Sequence, residues 1–272
     1  MEDLWLSRRQ LLFRGGAGVI GVAVLGACSS APSSPPAEPP VPAASGAVAG
    51  DWRRVNMSSV SAYILIRKGE AAIVDLGTPG SEQAIEDGLT AAGAGWSAVK
   101  HIVLTHLHDD HVGGLAEVAP HVRATIYAGA GDLSSIVSPK PLKPLTEGDE
   151  VFGMRIIETP GHTLGHISVF EPSTGVLVAG DALRTTGGLV GSDPRYTADE
   201  AKANASVRKL AAMDIRAVLP GHGDPLTAGA GAALKALAEW KNLRYLDVQE
   251  TAVTREGVAA LRKLKPSLQV LS

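Results

Sequence analysis

Thr105-His106-Leu107-His108-Asp109-Asp110-His111 packs three of the chain's eight histidines into six residues, next to aspartate. The stretch follows directly on an apolar run, His101-Ile102-Val103-Leu104-Thr105. Neutral imidazole and carboxylate oxygen are the ligands that zinc and other borderline cations prefer. His106 and His108 are two apart, so an extended backbone points both side chains the same way. Asp110 and His111 then begin a turn, and Gly113-Gly114 let the chain bend closely around whatever is bound. The plainer alternative is a polar loop with a chance histidine cluster. The concentration of a scarce residue favours a metal cradle.

Working outward, residues 99–105 read as a buried strand feeding the cluster. Upstream, 60–66 and 71–76 read as two strands joined by a turn at Lys68-Gly69-Glu70. A helix is expected over 81–92, with Ser81 at its N-cap. Downstream come a helix near 114–118, a strand near 124–127 and a short helix after Gly129. The second half repeats the pattern: strands at 154–158, 167–170, 175–179 and 217–219, and helices at 198–213 and 231–240. Three strand ends there carry a ligand-type residue beside glycine: Gly161-His162, Gly180-Asp181 and Gly221-His222. Glycine permits close backbone approach to a site. A lone strand-end histidine is usually a surface residue, but three such positions added to the first cluster shift the balance toward ligation.

With these residues in place, the chain resembles the metallo-β-lactamase superfamily. The motif is His106-x-His108-x-Asp110-His111, followed by His162, Asp181 and His222, and Asp75 matches the family's buried strand-end aspartate. The resemblance covers about residues 52–240. It implies an α/β fold, an αβ/βα four-layer sandwich with metals at one edge between two sheets. It also implies two Zn2+ per chain, with iron or manganese as alternatives. His106, His108 and His162 would hold the first metal, Asp110, His111 and His222 the second, and Asp181 would bridge them. Two neighbouring dications need a shared anion between them. The implied reaction is attack by a hydroxide shared between the metals, with Asp110 as a catalytic group that orients it or carries its proton. Authentic β-lactamases of the family usually carry Cys or Ser where this chain has Asp181. The di-iron oxygen reductases usually carry Glu where it has His108. The set looks more like glyoxalase II, lactonases and phosphodiesterases, and iron-dependent persulfide dioxygenases share it. Asp75 and His166 are expected to support ligands without being ligands. Asp109, His101 and His121 are expected to be solvated or structural, and Tyr196 either reaches substrate or packs a loop.

The 272 residues suffice for one sizeable α/β domain with appendages. A net charge of −3 without a basic tract argues against nucleic acid as partner, and 4% aromatic residues against stacking platforms. Ser7-Arg8-Arg9-Gln10-Leu11-Leu12 precedes a Gly/Ala-rich apolar run of about 13 residues, short for a membrane span of about 20. Paired arginines before such a run resemble a twin-arginine export signal. Leu25-Gly26-Ala27-Cys28 is similar to a lipoprotein lipobox, which implies cleavage before Cys28, the only cysteine, and lipid attached to it. The alternative is a buried cysteine in an N-terminal helix. Residues 1–27 are therefore expected to be a signal, 28–50 a Pro/Ala/Ser-rich disordered tether, 51–240 the hydrolase domain and 241–272 a tail.

In that tail Leu243 and Leu246 recur as Leu268 and Leu271, a spacing of about 25 that resembles a leucine-rich repeat. One repeat cannot bury its own apolar face, so the tail packs on the domain, engages a protein partner or is a remnant. The whole chain reads as an exported, lipid-anchored metallohydrolase of the bacterial envelope, acting on a small-molecule ester, lactone, thioester or phosphodiester. The alternatives are a β-lactam hydrolase, a persulfide dioxygenase, or a surface binding protein that retains a metal site.

Overall fold

A computed structural model describes residues 4–6, 44–247, 254–265 and 269–271. The twin-arginine run, Cys28 and most of the expected tether lie outside these residues. The chain divides into two compact units, one spanning 42–235 and a smaller one drawn from 1–41 and 236–272. None of the described helices is long and apolar enough to cross a membrane.

The smaller unit contains Leu4–Leu6 (β1). The larger unit opens with β2 (Gly46–Ala49), β3 (Trp52–Met57), β4 (Val60–Arg67) and β5 (Glu70–Val74). These form an antiparallel meander. The expectation of an unstructured tether through Gly50 gives way at Gly46. There a short Ala/Val run docks on the open edge of β3, whose unpaired backbone groups supply the hydrogen bonds that the run's own composition does not demand. The turn between β4 and β5 has positive φ at both Lys68 and Gly69, the backbone a two-residue hairpin favours.

Helix α1 (Glu82–Ala91) then crosses to β6 (Val99–Leu104). Ser81 does precede the helix, but its backbone is already helical and its side chain caps nothing; its hydroxyl donates to Thr78 O at 2.6 Å. Two short helices, α2 (Asp109–Val112) and α3 (Leu115–Val118), lead to β7 (Thr125–Gly129) and β8 (Leu142–Leu145). The short helix expected after Gly129 is a single tight turn at Leu133–Ser135. Strands β5 to β8 run parallel and complete a seven-stranded sheet in chain order.

The second sheet is made of β9 (Glu150–Val151), β10 (Met154–Glu158), β11 (Ile167–Glu171), β12 (Val176–Gly180) and β15 (Ala217–Pro220). Between its last two strands lie a hairpin, β13 (Leu183–Arg184) and β14 (Val190–Gly191), and helix α4 (Glu200–Ala211). Its order is β15-β12-β11-β10-β9.

Alternation of side chains sorts the strands into layers. Tyr63, Leu65, Ala72, Val74 and Val103 face Ile156, Ile167, Val169, Val178 and Leu219 in a core between the sheets. Their sequence neighbours Ala62, Ile64, Ile73, Ile102 and Leu104 turn the other way and bury Ile85, Leu89, Val112 and Leu115 of the helices. Both β11 and β12 are buried on both faces; β12 reads as a continuous apolar run, while β11 carries the buried polar residues Ser168 and Glu171. Ser206, Val207, Leu210 and Ala211 are the buried residues of α4. Helix α5 (Ala230–Asn242) leads out of the larger unit.

In the smaller unit β16 (Leu243–Asp247) pairs in parallel with β1 on one side and with β17 (Gln269–Leu271) on the other. Helix α6 (Arg255–Leu264), capped by the Thr254 hydroxyl accepting from Gly257 N, lies between β16 and β17 in the chain.

Candidate metal centre

The ends of β6, β12 and β15, with the loop after β10, deliver the ligand-type residues to one edge of the sandwich. Three groups of ligating atoms lie within 4.8 Å of one another: His106 with His108 and His162, Asp110 with His111 and His222, and His106 with His111 and Asp181. The first two are the trios expected from sequence. His108 Nδ1 stands 3.1 Å from His106 Nε2 and 2.9 Å from His162 Nε2. In the other trio His222 Nε2 is 3.2 Å from Asp110 Oδ2. Asp181 sits between them. Its Oδ2 is 3.4 Å from His162 Nε2 and 3.3 Å from His222 Nε2, so a single oxygen faces both groups.

Four of the imidazoles, those of His106, His111, His162 and His222, are held by the far nitrogen, which fixes the tautomer. His111 Nδ1 donates to Asp75 Oδ2 at 2.8 Å. His106 Nδ1 lies 3.1 Å from Thr105 Oγ1, whose own proton goes to Asp75 Oδ2 at 2.8 Å, and Thr105 N donates to Asp75 Oδ1. Asp75 therefore steadies one histidine of each trio. It does so from a backbone with φ 62°, a left-handed conformation that few non-glycine residues adopt. His162 Nδ1 is 2.8 Å from Ser192 Oγ, and His222 Nδ1 donates to Ser59 O at 2.6 Å. His166 accepts from Asp181 N at Nε2 and meets Thr159 Oγ1 at Nδ1, so it positions the shared carboxylate without joining the site.

Charge fits the same picture. Burial pulls His106 well below the ordinary histidine range, His162 down to about 4 and His166 to about 3, keeping them neutral near pH 7. Burial pulls on His111 and His222 too, but the opposing carboxylates win. Asp75 and Asp181 hold His111 well above its usual value, and Asp110 with Asp181 raise His222 to about 10. Burial would raise Asp181, yet His111 and its neighbours hold it well below the carboxylate range, while the hydrogen bond from His222 lowers Asp110. The cluster thus calls for positive charge at its centre. His111 Nε2 and Asp181 Oδ1 are both buried and have no hydrogen-bond partner, although they stand 3.2 Å apart. Leaving two such polar atoms unmatched is costly unless something else binds there. A pair of cations ligated by imidazole and carboxylate fits these residues.

Glycines make the geometry feasible. A Cβ on Gly221 would fall 2.5 Å from Asp181 Oδ1 and 2.6 Å from His111 Cε1. Gly221 also accepts from Ser61 N, while Tyr63 Oη donates to Pro220 O, which pins the His222 loop to β4. Arg54 is buried beneath that loop and donates to Asp224 Oδ1, Gly223 O and Ser61 Oγ.

Of the remaining histidines, His101 packs against Tyr127 and Phe152, and His121 stacks on Trp96 with Glu82 at 2.6 Å; neither joins a trio. Asp109 is exposed at the start of α2. Ser59, Ser192 and Asp132 support the site and escape the sequence reading. Buried Asp132 accepts from Gly165 N (2.7 Å) at Oδ1 and from Thr163 Oγ1 (2.5 Å) and Leu107 N (3.2 Å) at Oδ2. It ties the loop carrying His106 and His108 to the loop carrying His162.

A family model described as the metallo-beta-lactamase superfamily matches residues 55–222. Over 201 residues the chain is 28% identical to a probable metallo-hydrolase, YflN, of Bacillus subtilis, covering 57% of this chain and 76% of that one. It is 40% identical over 101 residues to a hydroxyacylglutathione hydrolase of Rhodospirillum rubrum, covering 36% of this chain and 38% of that one. The chain spans less than two thirds of the length of several curated relatives it matches. Among solved structures, a metallo-beta-lactamase family protein of Thermus thermophilus aligns with TM-score 0.55 and 26% identity, covering 67% of this chain and 74% of that one.

Proposed function

The chain belongs to the metallo-beta-lactamase superfamily; from that premise we infer that it is a metallo-hydrolase that carries two zinc ions and hydrolyses a small-molecule ester, thioester, lactone or phosphodiester. The observation that carries this is Asp181, whose Oδ2 lies within 3.4 Å of ligand nitrogens from both trios. In this assignment His106, His108 and His162 hold one ion, Asp110, His111 and His222 the other, and Asp181 both. Bound metals supply Lewis acidity and lower the pKa of water toward neutrality.

The chain's own residues do the rest. Asp75 and Ser59 aim the Nε2 atoms of His111 and His222 inward. His166 fixes the backbone of Asp181. Asp110 is only half-buried, so its carboxylate stands at the open edge, where it would orient the attacking water or carry its proton. Nucleic acid is not the expected substrate for a chain of net charge −3.

We place the protein outside the cytoplasm, anchored by lipid on Cys28, because Arg8-Arg9 and Leu25-Gly26-Ala27-Cys28 supply both signals. The parallel pairing of β16 and β17, with α6 between them in the chain, supports reading the tail as one leucine-rich-repeat-like unit available to a protein partner.

Metal analysis of the full chain tests the centre: two ions per chain are expected, and Asp181→Asn should lose one of them with most activity. A metal-free protein inert toward esters, thioesters, lactones and phosphodiesters would overturn the assignment. Cys28→Ser should move the protein from the membrane to the soluble fraction.

A further inference from the structure

One loop is stitched to the backbone that carries His162. Ser192 Oγ meets His162 Nδ1, Ala198 N donates to His162 O at 3.0 Å, and Asp199 N donates to Gly161 O at 2.9 Å. The tip of this loop, Asp193-Pro194-Arg195-Tyr196, is therefore held beside the first trio. Two guanidinium groups converge there on a single carboxylate. Arg184 Nη1 is 3.0 Å and Arg195 Nη2 2.8 Å from Asp193 Oδ2, and Arg195 Nε is 3.2 Å from Oδ1. Two positive charges and one negative leave the tip at +1 (2 − 1).

Arg195 is 75% exposed, and its guanidinium lies 5.3 Å over the Tyr196 ring. Three large apolar side chains are exposed among the described residues, and one of them, Tyr196, is on this tip. An exposed aromatic ring beside a surplus guanidinium matches a ligand with a hydrocarbon arm and an anionic end. A guanidinium already held by Asp193 gives up little freedom when it takes a second carboxylate.

We propose that Arg184, Asp193 and Arg195, with Tyr196, form a recognition rim that selects acyl substrates bearing a free carboxylate on an apolar arm. The assignment rests on the hydrolase reading above. The bland alternative is that the cluster only staples the loop, with no role in choosing substrate.

The test uses the metal-loaded full chain and a matched pair of probes, mono-p-nitrophenyl adipate (anionic) and p-nitrophenyl hexanoate (neutral). The readout is the ratio of kcat/KM for the anionic probe to that for the neutral one. Wild type should favour the anionic probe, and the preference should shrink as salt screens the rim. Arg195→Gln and Arg195→Glu take the tip from +1 to 0 and −1. The ratio should fall about three- to fivefold at each step, through KM, and Arg195→Lys should restore part of it. A ratio unmoved across the series overturns the rim and leaves the hydrolase standing. Failure of wild type to cleave either probe, or any ester, thioester, lactone or phosphodiester, overturns the hydrolase reading and the rim with it.

Discussion

Replacing Asp132 with alanine tests whether the metal centre depends on a tie that holds no metal itself. The carboxylate is buried and accepts three hydrogen bonds, from Gly165 N, Thr163 Oγ1 and Leu107 N. The threonine hydroxyl can rotate to another acceptor, but the two backbone N–H groups cannot. Each buried donor left unmatched costs about 1–3 kcal/mol, so Asp132→Ala should lose about 2–6 kcal/mol, with the low end expected where water reaches Leu107 N. Repacking offers little relief. A Cβ on Gly129 would fall 2.0 Å from Gly165 O and one on Gly165 2.1 Å from Asp132 N, so the two loops are already in backbone contact. Asp132→Asn keeps the shape and one acceptor oxygen but turns an amide toward a donor, so it should cost about half as much. Urea denaturation of chelator-treated and metal-loaded protein gives the stabilities, and metal analysis gives occupancy. The loops being released carry His106, His108 and His162, so the ion of that trio should be lost first. An Asp132→Ala protein with unchanged urea midpoint and two ions per chain would refute the reasoning.

Gly221→Ala should abolish binding at the second trio while leaving a folded domain, because the added Cβ would sit 2.5 Å from Asp181 Oδ1; metal analysis beside a circular dichroism spectrum checks both halves. Asp75→Asn tolerates the left-handed backbone but puts an amide or a neutral acceptor opposite His111 and Thr105, so metal affinity should fall about 10- to 100-fold. Titration of the chelator-treated protein with zinc measures that. Metal removal itself should lower the melting temperature, since His111 Nε2 and Asp181 Oδ1 then lie buried without a partner; a melting temperature indifferent to EDTA would count against a resident metal.

The parts of the centre that were legible in sequence share a physical reason. Metal ligation restricts residue type, and close backbone approach calls for glycine, so His106, His108, Asp110, His111, His162, Asp181 and His222 stand out of the text beside Gly161, Gly180 and Gly221. Layering was not marked by residue type, because β4 and β5 are apolar on both faces and only the structure separates Tyr63, Leu65, Ala72 and Val74 from Ala62, Ile64, Ala71 and Ile73. What was hidden depends on contacts between distant segments. Asp132 is one aspartate in a loop, with no pattern to mark it until Gly165 is brought against it, 33 residues away. Arg54 reads as a surface charge and is buried because the Pro220–Asp224 loop folds over it, 170 residues on, with Asp224 to pair it. Nor does spacing tell that His108 offers Nδ1 while His106 and His162 offer Nε2. For His106 and His162 that choice follows from the far nitrogen finding a hydrogen-bond partner, and the partners, Thr105 and Ser192, are ordinary hydroxyls in the text. Ligand identity is therefore local information and ligand orientation is not. Variants at Asp75, Asp132 and Ser192 bear on the second, which is where members of a fold with one ligand set have room to differ.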